Sequence, residues 1–219
     1  MEEIQAVRFD SKEEVKRFYR EDLLDLIKTV FLTPVEGIHA LFLKRSDRSY
    51  FHALVLIVSA ALVCMFFTFI SIPSEFRSYL PWFSIVMKGA IFSGAFLVGI
   101  SLCSFGIKLL SGKPHFRDEL LTGGLCAVPF SALNVLLFIS AKLLLGKEVV
   151  STIMMGGISS VIQKAGLVIL LILYIYLQMV SILMQSLRAG GTNETLRWYL
   201  SPLGIILSGY LAVKIVQLF

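Results

Sequence analysis

At 219 residues, 57% hydrophobic and only 16% charged, the chain departs from the roughly 45–50% apolar and about 25% charged composition of soluble domains. A water-soluble globule is excluded because the apolar residues gather into runs free of Asp, Glu, Lys and Arg, long enough to cross a hydrocarbon layer of about 30 Å. The formal charge of +5 needs no nucleic-acid partner, since basic loops beside anionic headgroups account for it.

In chain order, the uncharged runs extend from Ser49 to Ser74, Gly89 to Ile107, Leu120 to Ala141, Ala165 to Leu187 and Trp198 to Val213. They predict an all-α fold, a polytopic bundle of five transmembrane helices over about 49–74, 89–107, 120–141, 165–187 and 198–218. Two regions follow: residues 1–48, a cytosolic leader with an interfacial amphipathic segment, and residues 49–219, the membrane domain.

The leader to Asp25 mixes both charge signs, as in Glu13-Glu14-Val15-Lys16-Arg17. It lacks the basic start and short apolar core of a secretory signal, so the first span is expected to be retained. It reads as a solvated helix supported by pairs four residues apart. Beyond it, Ile27, Val30, Phe31, Val35, Ile38, Leu41 and Phe42 recur at helical spacing, with Pro34 interrupting the pattern. This broken amphipathic segment is expected in the headgroup plane or packed beneath the bundle.

Basic residues collect on the cytoplasmic side of membrane proteins. Lys44, Arg45 and Arg48 form the densest cluster, immediately before the first span, which predicts a cytosolic N-terminus and a C-terminus on the opposite face. The stretch from Val149 to Gln163 is too short for an ordinary span and is expected to lie on, or re-enter from, the outer side. Asn193-Glu194-Thr195 has the pattern of a glycosylation acceptor, but this orientation places it inside.

Chemical signatures are sparse. His39, His52 and His115 are scattered and form no zinc-binding pattern. The three cysteines fall within spans and read as small apolar side chains. Glu13-Glu14 with Arg17 misses the spacing of paired-glutamate membrane proteases, and no His or Lys occupies the centre of a span as a base for a serine. No metal or cofactor is expected, and the protein reads as a non-enzyme. Asn134 and Gln178 are the polar residues deep in the third and fourth spans, suited to an interhelical hydrogen bond or to contact with a small substrate. Small residues four apart, Ala95/Gly99/Cys103, Gly123/Ala127/Ser131 and Gly204/Ser208/Ala212, predict close helix packing.

Two segments carry a family resemblance. One is Leu26-Ile27-Lys28-Thr29-Val30-Phe31-Leu32-Thr33-Pro34-Val35-Glu36-Gly37-Ile38. The other is Ser111-Gly112-Lys113-Pro114-His115-Phe116-Arg117-Asp118-Glu119-Leu120-Leu121, followed by Gly123, Ala127, Val128 and Pro129. With five spans, the chain from about Leu23 onward resembles the Yip-domain family, membrane proteins first described as interactors of Ypt/Rab GTPases and widespread in prokaryotes. The resemblance implies a non-enzymatic role through protein or lipid interaction, with a trafficking-like function in eukaryotic members. The Asp-Leu-Tyr-type motif and long polar N-terminal region of those members are missing. The short leader therefore matches a prokaryotic member of the cytoplasmic membrane, an endoplasmic-reticulum or Golgi membrane being the eukaryotic alternative.

Membrane lipids, an unidentified protein and, as one option, further copies of the chain are the expected partners. The expected binding surface joins Pro34 and Glu36 to Lys113, His115, Phe116 and Arg117. Phe116 would insert as an apolar anchor, and Arg117 would meet Glu36 or a lipid phosphate. The plainer reading is that this loop caps helix ends and follows the positive-inside bias. A small-molecule or lipid transporter is the competing function.

Overall fold

A computed structural model of the chain describes residues 11–44, 47–72, 77, 79, 81–110, 116–144 and 158–219. A short helix α1 (Ser11–Arg17) continues through one π-helical turn (Phe18–Asp22) into α2 (Leu23–Leu32), and α3 (Glu36–Leu43) follows. The five long helices are α4 (Asp47–Ser71), α5 (Trp82–Leu109), α6 (Phe116–Leu144), α7 (Ile158–Ala189) and α8 (Glu194–Gln217). All five are long and apolar enough to cross a membrane, so the protein is an all-α, multi-pass integral membrane protein.

Four of the five helices outrun at both ends the uncharged runs that predicted them, whereas α4 starts two residues before its run and ends at Ser71. Charge marks where a run stops being purely apolar, whereas backbone hydrogen bonding continues until a residue or loop interrupts it. Residues 158–163, expected within a surface or re-entrant segment, instead form the start of α7; Val149 to Gly157 lie outside the described residues. Asn193 of the glycosylation pattern is the N-cap of α8, its side chain accepting a hydrogen bond from the Thr195 N–H at 3.1 Å. Just before it, Gly191 takes a φ of 73°, the left-handed conformation that lets α7 stop sharply.

Small residues set the packing. A Cβ on Gly124 would lie 2.6 Å from the Ala53 Cα, and one on Gly123 would strike the Leu97 carbonyl oxygen and the Ser101 hydroxyl. Adjacent glycines of α6 thus admit α4 on one side and α5 on the other. Gly99 meets Ser208, and Gly204 meets Cys103, so the stripes expected on the second and fifth spans interlock between α5 and α8. Without a hydrophobic force between helices in lipid, such close approach supplies the dispersion contacts that hold them together.

The leader is less solvated than its composition suggests. Its charged residues do form exposed pairs, Arg17 with Glu21 at 3.1 Å and Lys28 with Asp25 at 3.7 Å. Phe18, however, is 1% exposed and stacks on His52 of α4 with ring centroids 4.6 Å apart. The Tyr19 hydroxyl hydrogen-bonds the Ser59 hydroxyl, also on α4. One aromatic pair in a polar stretch is enough to dock it. Pro34 separates α2 from α3, and Val30, Ile38 and Phe42 are wholly buried. This segment packs against the bundle, with α3 lying along α7.

Candidate functional site

At the end of the bundle where α4 begins, here called the proximal end, three helices converge: the last turn of α5, the first turn of α6 and the last turn of α7. Lys108 stands one residue before the end of α5, Glu119 three residues into α6, and Ser186 three residues before the end of α7. Each lies within about 5 Å of a helix end along its axis.

The Lys108 ammonium donates to both carboxylate oxygens of Glu119, at 2.8 and 2.7 Å, and to the Ser186 hydroxyl at 3.0 Å. Ser104, one turn back on α5, donates to the same carboxylate at 2.6 Å. Thr122, one turn on from Glu119, shares a hydrogen bond of 2.6 Å with Ser186. Lys108 is 4% exposed and Glu119 1%, so both charges are out of water. A buried ion pair is tolerable only when its remaining polar valences are met, and the three hydroxyls meet them here. Gly190 provides the room: a Cβ there would lie 2.8 Å from Cε and 2.9 Å from Cδ of Lys108.

A second tie lies one turn deeper, where the Gly123 N–H donates to Ser101 at 3.2 Å. The polar residues of α5, Ser101, Ser104 and Lys108, therefore share one helical face, as do Glu119, Thr122 and Gly123 of α6. That periodicity was available in the sequence. The division into uncharged runs masks it, since Lys108 and Glu119 are the charges at which two of those runs stop.

Chemically, the cluster holds helices together. Ser186 is within proton-transfer reach of Lys108, but the lysine donates to Ser186 while engaged by the carboxylate, and Ser186 is completely buried. Both charges are buried and bonded across helices, so the pair ties α5 to α6 and, through Ser186, to α7.

The residues expected to bind are placed as follows. Phe116 meets Phe105 of α5 edge to face, with centroids 5.8 Å apart, and the Arg117 guanidinium sits 4.8 Å from the Tyr50 ring centroid of α4. Pro34 accepts a hydrogen bond from Ser181 of α7 at 3.5 Å, and Glu36 is exposed. Lys113 and His115 lie outside the described residues. Asn134 donates to the Phe130 carbonyl at 3.0 Å, and Gln178 to the Tyr174 hydroxyl at 2.9 Å. Both bonds stay within one helix, where interhelical bonds were expected, because a partner four residues back is always within reach.

Two lateral concavities are lined almost wholly by apolar side chains. One, of about 860 Å³, runs between α5 and α8 over Cys103, Gly106, Gly204 and Leu207. The other, of about 400 Å³, lies between the leader and the α4/α6 face, between Ile27, Phe31, Leu56 and Val128.

The chain matches no protein-family model, no curated protein and no solved structure. The Yip-domain resemblance accordingly rests on the two sequence segments that suggested it.

Proposed function

We propose that this is a non-enzymatic integral membrane protein of the Yip-domain type, acting through protein or lipid interaction in membrane organisation or a trafficking-like role. The carrying observation is the Lys108–Glu119 pair. The strongest polar chemistry among the described residues is spent on bonds between helices, close to their ends. A substrate site in a transporter sits near the midplane, commonly at broken helices. The apolar lateral concavities are suited to lipid chains or partner helices. The basic cluster of Lys44, Arg45 and Arg48 at the start of the first span supports a cytosolic proximal end.

The test is extraction of the full-length protein in native-membrane discs, with identification of co-isolated lipids and proteins. Phe116→Ala and Arg117→Ala should reduce what is retained more than Lys142→Ala and Lys147→Ala. Equal retention in all four variants counts against the proposal.

One observation favours transport as a second reading: ionisable residues inside a membrane bundle mark ion or substrate pathways more often than scaffolding. Under that reading, Glu119→Gln abolishes a solute or lipid flux measured in proteoliposomes while leaving the protein folded.

A further inference from the structure

The helical hairpin formed by α2 and α3 packs against the proximal half of the bundle, and the contact at its tip fixes how deep the tip lies. At its tip, Pro34 accepts the hydrogen bond from Ser181, which lies eight residues, or about 12 Å of helix rise, from the end of α7 at Ala189. At its entry the chain is held nearer the proximal end: Phe18 stacks on His52, two residues beyond Tyr50, where the apolar part of α4 begins, about 3 Å along the helix, while the Tyr19 side chain reaches Ser59 farther along α4. Arg188 of α7, together with Trp198 and Tyr199 near the start of α8, are residue types that settle at the headgroup level. The tip lies on the hydrocarbon side of that level.

The side of the hairpin turned away from the bundle carries charge along α2 and at Glu36, but large apolar side chains are exposed around its tip and at the end of α3. Leu32 is 76% exposed and Leu43 66%, with Leu24 and Val35 also exposed, while Val30, Ile38 and Phe42 fill the inner face. The tip carries apolar side chains on both faces, Leu32 and Val35 outward and Val30 and Ile38 inward, and at this depth such side chains have hydrocarbon as their natural surroundings. The polar residues agree with a shallow insertion. The exposed Asp25–Lys28 pair sits on α2, seven and four residues before the Leu32–Val35 tip, and Glu36, exposed on the first turn of α3, keeps the tip within reach of headgroups and water.

We infer that α2–α3 is a re-entrant hairpin inserted into the leaflet on the proximal side, its Leu32–Val35 tip facing lipid acyl chains. Such an element adds volume to one leaflet only, which a helix lying in the headgroup plane does to a smaller degree. The inference requires the five spans but not the interaction role proposed above.

Spin labels on Leu32→Cys, Val35→Cys and Glu13→Cys in the full-length protein, reconstituted in phosphatidylcholine/phosphatidylglycerol vesicles, test it by power saturation. Spectra of the identically treated unsubstituted chain are subtracted for Cys64, Cys103 and Cys126. The expected result is several-fold higher oxygen than nickel-chelate accessibility at positions 32 and 35, and the reverse at position 13. Nickel accessibility at position 32 equal to that at position 13 would place the tip in water and overturn the inference. Inaccessibility of position 32 to both reagents would mean that protein covers it, and would overturn it equally. Leu32 and Val35 are exposed, so labels there leave the packed interior intact.

Discussion

Replacing Glu119 by Met while keeping Lys108 removes the acceptor of two hydrogen bonds from the ammonium and one from Ser104. Lys108, 4% exposed, keeps its bond to Ser186 but loses both carboxylate oxygens. Breaking a buried pair from one side costs about 3–5 kcal/mol, whereas replacing both members with apolar groups of similar volume is often neutral or favourable. Lys108→Met alone should cost as much, since it takes the ammonium away from a carboxylate that is 1% exposed. The double variant Lys108→Met/Glu119→Met should recover most of the loss, because Ser186 keeps Thr122 at 2.6 Å and Ser104 at 3.3 Å. At about 2–4 °C per kcal/mol for chains of this length, each single variant should melt about 6–20 °C below the parent. The double variant should return to within about 5 °C of it. The measurement is the midpoint of heat-induced loss of the monodisperse peak in size-exclusion chromatography, in one detergent for all four proteins. Single variants within about 1 kcal/mol of the parent, or a double variant as unstable as the sum of the two, would refute the assignment of the pair as a tie between helices.

Gly124→Leu should destabilise by at least about 1–3 kcal/mol through overpacking against Ala53, whereas Gly106→Ala, where a Cβ meets nothing within 4 Å, should leave the melting midpoint unchanged; equal shifts would contradict the packing described. Phe18→Ala should release the leader from α4, read as faster protease cleavage of residues 11–22 with the five spans still folded, since one aromatic side chain supplies the buried anchor there. Gly191→Ala should cost about 1 kcal/mol from its positive φ, measured by the same midpoint. Reagents that label only one membrane face should reach single cysteines placed beside Met1 and Phe219 from opposite sides, and labelling of both from the same side would remove the five-span topology.

The spans were legible in the sequence because crossing a membrane imposes a one-dimensional rule, about twenty apolar residues in succession, which Ser49–Ser74 and Ala165–Leu187 obey without reference to anything else in the chain. The small-residue stripes were legible for a similar reason: spacing of four puts Gly99 and Cys103, or Gly204 and Ser208, on one face, although which stripe meets which needed the fold. The leader was misjudged in one respect. Its charges predicted solvation, and the docking of Phe18 depends on His52, a residue 34 positions away. The polar cluster was hidden for a deeper reason. Hydropathy assigns Lys108 and Glu119 to the ends of spans and therefore to water. Whether a charge at a helix end turns outward to headgroups or inward depends on what the neighbouring helices offer it. Here that is a carboxylate 11 positions on, a serine 78 positions on and the space left by Gly190. Membership of the bilayer belongs to each segment separately, but the exchange of solvation for a partner belongs to three helices at once, and only tertiary structure brings those together.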